Sequence, residues 1–441
     1  GGSISVERAI QAPLLTLDSG PVSGVTGSQF LGQLIGTPHV ITTDMGGTSF
    51  DVGIIHQGQP AFSFTANVAQ YEYFIPKVDI QAIGSGGGSI APVELGAIAV
   101  GPESAGSVPG PVCYARGGQR VTVTDADLLL GYLNADYFLG GTMKLDKRAA
   151  QAAIAEQIAA PLGLDPVEAA WGVHEVVTAQ MAQAARVVSV GQGKDPRHFT
   201  QIPFGGAGPV HGARLARMLG CARVVFPFGA GVETAIGLLM GDPSFDLART
   251  RITALGIDQL DSINEIVLDL ERQGRAQLAA CGLSRGMRIV RSADMRFAGQ
   301  GYEINVALPS GRYRKPDIAR LRQRFFDAYA TTYGDRSSNE EASVEIVHYR
   351  VTASCPGPAL ALRSIALGDE DPQGALKGYR RVYFPESRGF ARTPVFDRDR
   401  LEAGDRFEGP AIVEERESTI VIPPRSRALV DEHGNIVLDL D

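Results

Sequence analysis

Two aspartates flank a glycine pair in ITTDMGGTSFDVGII, residues 41–55. Asp44 and Asp51 offer hard carboxylate oxygens, which suit Mg²⁺ or a water molecule bound to it. The residues between them provide backbone N–H groups that an anion can approach, together with hydroxyl donors: Gly46, Gly47, Thr48 and Ser49. The glycines also permit positive φ angles. The stretch can therefore hold a phosphate and its cation. A plain Gly-Gly hairpin turn with solvated acids would have the same sequence pattern, so both interpretations remain open.

A second glycine motif occupies residues 201–219, QIPFGGAGPVHGARLARML. A short strand runs into a glycine turn, and Pro209 then suits the first turn of a helix. The free N–H groups and positive dipole end of that helix suit a phosphate or the sugar and base of a nucleotide. His211 is interpreted as a lining or surface residue without a catalytic role. The candidate cofactor-binding residues here are Gly205, Gly206, Ala207 and Gly208.

The third glycine-rich loop, Gly84–Ser89, has four glycines among its six residues. Its backbone could form an anion-binding nest near a reacting carbonyl, or it could be a structural loop packed beneath an insert. Both interpretations remain open from the sequence. In the first one, the substrate contacts would come from Gly86, Gly87 and Ser89.

Hydrophobic patterning predicts the elements that position these loops. Residues 39–44 and 50–55 have strand character, so the first motif is expected at a hairpin tip. Asp165, Pro166 and Glu168 form the capping-box signature of a long helix whose apolar residues follow helical spacing. On that helix, Trp171 is interpreted as a core residue and His174 as an ordinary boundary histidine. Residues 317–333 predict a second amphipathic helix.

Length and composition limit the classes of protein to consider. The chain has 441 residues, of which 44% are hydrophobic and 20% charged, so two or three globular domains are expected. A net charge of −8 disfavours nonspecific binding to nucleic acid or anionic membranes. The four cysteines form no CxxC pair, which favours a reducing compartment, the cytoplasm, over a zinc site or disulfide framework. No apolar stretch approaches the roughly 18 residues of a membrane-spanning helix.

The first two motifs, a phosphate hairpin and a glycine-rich strand-to-helix turn about 160 residues later, resemble the actin-like ATPase superfamily, which binds ATP between two related lobes. A narrower resemblance, to the hydantoinase A / 5-oxoprolinase family, is carried by a series of long blocks along the chain. These are SGPVSGV (19–25), DMGGTSFDVGII (44–55), IGSGGGSIA (83–91), VGPESAGSVPGPVCYARGG (100–118), TVTDADLLLGYL (122–133), GKDPRHF (193–199), FGGAGPVHGARLA (204–216) and GPAIVEERESTIVIPP (409–424).

The resemblance implies a fold class and a domain order. The expected fold is α/β, with an actin-like ATPase (ribonuclease H-like) lobe at 1–250 that carries an insert at 56–145. An α+β segment at 251–355 and a β-rich C-terminal module at 356–441 would follow. Family members usually have another Asp-x-Gly-Gly-Thr hairpin in a first lobe, which these residues lack. We therefore expect a fragment without that lobe, inactive by itself; Gly140–Thr142, preceded by Phe138, is interpreted as a plain turn.

The resemblance also implies a chemistry: ATP with Mg²⁺ would phosphorylate a carbonyl, enolate or amide oxygen, and ring opening by water or carboxylation would follow. If the motif has the same role as in the family, phosphates and Mg²⁺ would be held by Asp44, Gly46, Gly47 and Thr48, with Asp44 as the metal ligand. The candidate catalytic residues are Asp44, Thr48 and Asp51, and Ser49 joins the candidate cofactor contacts. A hydantoinase B-type partner subunit and an oligomer are expected.

The favoured function is an ATP-dependent hydrolase subunit that opens a cyclic amide, either a hydantoin or 5-oxoproline. The alternatives are an ATP-dependent ketone carboxylase subunit and a nucleotide-gated scaffold that regulates a protein partner. A sugar kinase is disfavoured because residues 56–145 match the hydantoinase family instead.

Overall fold

The computed structural model describes residues 4–63, 66–68, 71–73, 77–334, 342–357, 364–365, 367–368 and 370–440. The chain divides into two compact units, which are described separately. One unit contains residues 18–240 and 360–441, and the other contains residues 1–17 and 241–359.

The helices are defined by the following bounds: α1 (Val6–Gln11), α2 (Ser19–Leu34), α3 (Val123–Leu129), α4 (Lys147–Ile154), α5 (Ala160–Leu162), α6 (Pro166–Val190), α7 (Gly208–Leu219), α8 (Glu233–Met240), α9 (Leu260–Ala280) and α10 (Lys315–Tyr333). The predicted capping box of α6 is confirmed, with the Asp165 carboxylate accepting from the Val167 N–H and Glu168 accepting from the Asp165 N–H. The predicted helix at 317–333 is α10.

The strands of the first half of the chain are β1 (Val40–Met45), β2 (Phe50–His56), β3 (Gln59–Pro60), β4 (Phe62–Ser63), β5 (Ala66–Val68), β6 (Tyr71–Tyr73), β7 (Lys77–Val78), β8 (Ile80–Ile83), β9 (Val93–Glu94), β10 (Ala97–Ile98), β11 (Thr200–Phe204) and β12 (Arg223–Phe226). Those of the second half are β13 (Ser244–Ala254), β14 (Arg288–Phe297), β15 (Ile304–Leu308), β16 (Val344–Ser354), β17 (Leu376–Phe384), β18 (Gly389–Asp397), β19 (Arg406–Glu408), β20 (Ala411–Glu414), β21 (Thr419–Ile422), β22 (Ser426–Val430) and β23 (Ile436–Leu440).

The larger unit is built on a mixed sheet with the order β19-β22-β23-β12-β11-β1-β2-β3, to which β8 adds beside β2. Strands β1, β11 and β12 run parallel, whereas β2 pairs antiparallel with β1. Neighbouring residues of β1 point to opposite faces: Val40 packs into a core that includes Val25 of α2, and Ile41 packs into the core shared with α6 and α7. Strands β1 and β11 are buried on both faces, as is usual for central strands of a sheet that helices cover on both sides.

The last strands of the chain belong to this same sheet. β23 pairs antiparallel with β12, β22 with β23, and β19 with β22. A separate four-stranded sheet of the same unit has the order β17-β18-β20-β21, and its Ile412 and Ile420 are fully buried in the main core. The C-terminal strands β19, β22 and β23 therefore extend the sheet formed by β1, β2, β11 and β12 of the first 250 residues, because long-range strand pairing does not follow boundaries of composition.

The smaller unit is an α+β structure. Its antiparallel sheet has the order β13-β16-β14-β15, and α9 and α10 pack on it around a core that includes Ile263, Leu321 and Phe325. Among the helices of the described residues, none combines the length and apolar character that a membrane crossing requires.

Candidate functional site at three glycine loops

The hairpin predicted for the first motif is present. Asp44 of β1 pairs with Asp51 of β2, so the two carboxylates lie on directly opposed residues at the end of the hairpin. The tip is closed by the Gly46 N–H donating to the Ser49 carbonyl at 3.2 Å. The Ser49 hydroxyl donates to the Asp51 carboxylate at 3.0 Å. The hairpin therefore holds both acids at the end of the sheet where the parallel strands β1 and β11 have their carboxyl ends.

The loop Gly84–Ser89 packs directly on that tip. The Gly87 N–H donates to the Gly46 carbonyl at 2.9 Å, and the Gly88 N–H donates to the Gly47 carbonyl at 2.6 Å. A side chain at Gly86 would overlap the backbone of Gly47 and Thr48, which explains the glycine at this position. The loop is thus a support for the hairpin, and its role as a substrate contact stays a prediction.

The glycine turn 205–208 also packs against the hairpin. The Ala207 N–H donates to the Met45 carbonyl at 2.9 Å, and the Gly205 N–H donates to the Ala230 carbonyl at 2.9 Å. Gly205 has a φ of +84°, and a Cβ there would overlap the Asp44 carboxylate and the Met45 carbonyl. The structure therefore brings together the three loops that the sequence places about 40 and 120 residues apart.

Several backbone donors at this junction are free. Within the described residues, the N–H groups of Gly47, Thr48 and Gly206 have no acceptor, and all three residues are exposed. Contrary to the sequence expectation, neither Gly46 nor Gly47 uses a positive φ. A Cβ at either position would meet no atom within 4 Å, so the space above them is open to a ligand.

The two carboxylates repel each other at this site. Burial, followed by the charge of Asp51, raises the pKa of Asp44 to about 6. Burial also raises the pKa of Asp51, partly offset by the hydrogen bond from Ser49, while the charge of Asp18 adds to the rise. No lysine or arginine of the described residues forms an ion pair with either acid. A pair of acids without a cation is the donor set that Mg²⁺ prefers, so the residues present fit that ion.

Beneath the loops lies a buried polar network that the sequence analysis missed. The two oxygens of Asp127 on α3 face His174 Nδ1 on α6 at 2.7 Å and His211 Nε2 on α7 at 3.3 Å. These side chains are 1–3% exposed, so the interpretations of His174 as a boundary residue and of His211 as a lining or surface residue are wrong. Half-buried Trp171 packs against the core as predicted and stacks on the His174 ring.

The direction of one hydrogen bond in this network follows from another. The Thr178 hydroxyl donates to the His174 carbonyl at 2.7 Å, so its oxygen accepts from His211 Nδ1 at 3.0 Å. Burial would raise the pKa of Asp127, but attraction to His211 and the hydrogen bond from His174 lower it to about 2. Burial and the neighbouring His211 lower the pKa of His174 to about 4, so this ring is neutral at pH 7.

The same three residues bring potential metal ligands within 4.8 Å of one another. However, the imidazole rings of His174 and His211 are stacked, with centroids 4.2 Å apart and planes inclined by 15°. A metal binds a histidine nitrogen in the plane of the ring at roughly 2.0–2.1 Å, and no point meets that condition for two stacked rings. The arrangement is therefore a hydrogen-bonded brace that links α3, α6 and α7.

The brace is connected to two of the glycine loops. Thr124 in the first turn of α3 donates both its N–H and its hydroxyl to the Gly87 carbonyl, at 2.8 and 2.7 Å. His211 lies in the first turn of α7, directly after the turn 205–208. Asp127 lies in a block that carried the family resemblance, which was the one signal that could have drawn attention to it.

Family models account for nearly the whole chain. The model described as Hydantoinase/oxoprolinase matches residues 1–246, and the model of the Hydantoinase/oxoprolinase C-terminal domain matches residues 255–439. The chain belongs to the hydantoinase/oxoprolinase family. The resemblance inferred from the sequence blocks is thereby confirmed.

Solved and curated members of this family span two kinds of activity. Caprolactamase subunit alpha of Pseudomonas jessenii is 34% identical over 98% of this chain, and its solved structure matches with a TM-score of 0.79. The nucleotide-free structure of acetone carboxylase matches over 95% of this chain with 27% identity and a TM-score of 0.82. Acetophenone carboxylase gamma subunit of Aromatoleum aromaticum is 34% identical over 96% of this chain. The chain spans 59–62% of the length of these relatives.

Proposed function

We propose that this hydantoinase/oxoprolinase chain is the nucleotide-binding part of a subunit that uses ATP to open a cyclic amide. The observation that carries the proposal is the convergence of the three glycine loops around Asp44, with free backbone donors beside two opposed carboxylates. Such an arrangement recognises the oxygens of a polyphosphate and its cation without any lysine or arginine.

The proposed roles follow from the geometry of each loop. The N–H groups of Gly47 and Thr48 bind phosphate oxygens, with Gly46 leaving the approach open and the Ser49 hydroxyl holding Asp51. Asp44 is the ligand of Mg²⁺, and Asp51 orients a water molecule of its shell. The turn from Gly205 through Gly206 and Ala207 to Gly208 lines the nucleoside pocket. The bound Mg²⁺ supplies charge neutralisation, and for phosphoryl transfer such positioning and charge stabilisation are most of the catalysis.

The wider architecture supports an actin-like lobe. Its parallel strands β1, β11 and β12 carry helices on both faces, and the hairpin β1–β2 presents its tip beside the N-terminus of α7. We further propose ATP and Mg²⁺ as the cofactors, a hydantoinase B-type partner subunit, as the subunit names of the relatives suggest, and, because its four cysteines are unpaired, a cytoplasmic location.

The test uses the full-length protein together with its neighbouring subunit. Phosphate release is measured with ATP, Mg²⁺ and a panel of lactams and hydantoins, for the wild type, Asp44→Ala and the control Asp261→Ala, whose side chain is 97% exposed. We expect lactam-dependent phosphate release that falls at least about a hundredfold in Asp44→Ala and is unchanged in the control. Lactam-dependent release that survives Asp44→Ala would overturn the site assignment.

The carboxylase branch is the second candidate, because acetophenone carboxylase gamma subunit is as similar to this chain in sequence as caprolactamase is, and the acetone carboxylase structure is as similar in fold. A ketone substrate and conversion of bicarbonate into product distinguish it. Phosphate release that requires a ketone and bicarbonate, with no response to any lactam, would replace the hydrolase proposal.

A further inference from the structure

The larger unit contains a cavity of about 480 Å³ away from the glycine loops. It lies between α2, α8 and the segments 398–402 and 433–435, and none of its lining residues belongs to the three loops. Most of its wall is apolar and includes Phe30, Leu31, Phe228, Ile236 and Met240. Apart from Glu233, the polar residues of the wall lie on the segments 398–402 and 433–435. A cavity of this volume is typical of a site for a small molecule.

Glu233 is the acid of this cavity. It is 5% exposed, and within the described part of the chain it makes no hydrogen bond or ion pair. Its carboxyl group lies against Gly27 of α2, where a Cβ would overlap the Glu233 oxygen. Burial alone raises the pKa of Glu233 to about 8, so the group is an uncharged acid at neutral pH. A protonated carboxyl group offers one donor and one acceptor side by side.

Arg398 provides a second polar feature of the wall. The residue is 3% exposed, its Nη2 donates to the Phe226 carbonyl, and its Nε lies 3.1 Å from Glu415. Its Nη1 is buried and has no partner among the described residues, as is also true of His433 Nδ1. Glu415 offsets the charge of Arg398, and the exposed part of the wall carries both signs of charge, with Asp399, Arg400 and Glu402. The buried part of the cavity therefore favours an uncharged ligand with a second acceptor. A buried donor left unpaired is unfavourable, so a ligand that pairs it gains affinity.

We propose that this cavity binds a small uncharged molecule whose N–H and C=O groups stand side by side on an apolar ring, as in a cyclic amide. The ring N–H donates to the carboxyl carbonyl of Glu233, and the ring C=O accepts from its O–H. A further acceptor of the ligand pairs with Arg398. The site is one of binding, separate from the phosphate loops, and it rests on the proposed function only in the choice of lactams as probes.

The test measures binding of 2-pyrrolidone and N-methyl-2-pyrrolidone to the full chain by calorimetry, without nucleotide. The methyl group removes the donor, so N-methyl-2-pyrrolidone should bind about tenfold more weakly. Glu233→Ala should abolish saturable binding, whereas Glu233→Gln keeps a donor and an acceptor and should bind like the wild type. The exposed substitution Asp261→Asn is the matched control.

The pH dependence separates recognition by Glu233 from simple filling of a cavity. Between pH 6.5 and pH 9, wild-type affinity should fall about tenfold as the carboxyl group ionises, while the affinity of Glu233→Gln should stay constant. Equal binding of the two pyrrolidones, or wild-type binding by Glu233→Ala, would overturn the proposal. This experiment contains no ATP, so the two proposals can fail independently. Absence of the predicted lactam binding would not affect lactam-dependent phosphate release, and absence of that release would not affect this binding.

Discussion

The Asp44 carboxylate occupies the space in which Gly205 would carry a side chain. Gly205 has a φ of +84°, and a Cβ built there would overlap Asp44 Oδ1 and the carbonyl of Met45. The glycine therefore has two reasons to be present, one conformational and one steric. The close approach places the acid of β1 against the turn that leads into α7, so the proposed metal ligand and the proposed nucleoside loop form one structure.

Substitution at Gly205 separates these two reasons when it is compared with Gly193, which has a φ of +70° and open space around it. Gly193→Ala should lower the free energy of unfolding by about 1 kcal/mol through the positive φ alone. Gly205→Ala adds the overlap with Asp44, and we expect a loss of about 3 kcal/mol or more. Urea unfolding of both variants measures the difference, and equal losses would contradict the steric account.

Nucleotide binding should depend on the ionisation of Asp44. With a pKa of about 6 in the free protein, the carboxyl group is protonated below that pH and cannot serve as a ligand of Mg²⁺. We expect the Mg²⁺-dependent part of ATP affinity to weaken by about tenfold for each pH unit below 6, and to level off above 7. Titrations of ATP with and without Mg²⁺ between pH 5 and pH 8 measure it. Because the terminal phosphate of ATP also gains a proton in this range, the same titrations of Asp44→Asn are the control. An unchanged wild-type profile in that variant would contradict the role of Asp44.

The buried brace should make the protein sensitive to mild acid. The pKa of His174 is lowered from 6.5 to about 4, so between these pH values the unfolded chain binds a proton at His174 and the folded chain does not. The free energy of unfolding should therefore fall as the pH is lowered from about 6.5 to 4, by up to roughly 3 kcal/mol from this residue. His174→Gln should flatten this slope, whereas the exposed His198→Gln should retain it. A wild-type slope in His174→Gln would show that other groups cause the acid sensitivity.

Glu233 should have the opposite pH dependence. Its pKa is raised from 4.5 to about 8, so the folded state keeps a proton that the unfolded chain loses. The contribution to stability is present below about pH 4.5 and is lost as the pH rises toward 8, with an upper limit of roughly 5 kcal/mol. Glu233→Gln should thus be more stable than the wild type at pH 8, and this advantage should shrink toward pH 4.5. Thermal or urea unfolding at several pH values provides the comparison.

The parts that sequence alone predicted are those governed by local rules. The hairpin around Gly46 and Gly47 and the capping box of Asp165 and Glu168 were confirmed, because turn chemistry and helix capping act within a few residues. The plain turn at Gly140–Thr142 is also present: Gly140 and Gly141 both have positive φ, and Phe138 bridges to Met143.

What the sequence did not reveal depends on distant partners. Asp127, His174 and His211 are 47 and 37 residues apart along the chain, and each looks ordinary in its own helix. The pairing of β23 with β12 joins segments more than 200 residues apart, so no local sequence pattern predicts it. Burial of Glu233 likewise follows from the packing of α8 on α2, where Gly24, Gly27 and Gly237 allow close approach.

Central to the proposed function is the binding of the phosphates of ATP, together with Mg²⁺, by Asp44 and the surrounding glycine loops. Its most direct measurement is the affinity of the full-length protein for ATP, with and without Mg²⁺ at pH 7.5, in the wild type, Asp44→Asn and the control Asp261→Asn. We expect Mg²⁺ to strengthen ATP binding in the wild type and the control, and this gain to disappear in Asp44→Asn while the variant keeps its thermal stability. An undiminished Mg²⁺-dependent gain in Asp44→Asn would contradict the claim.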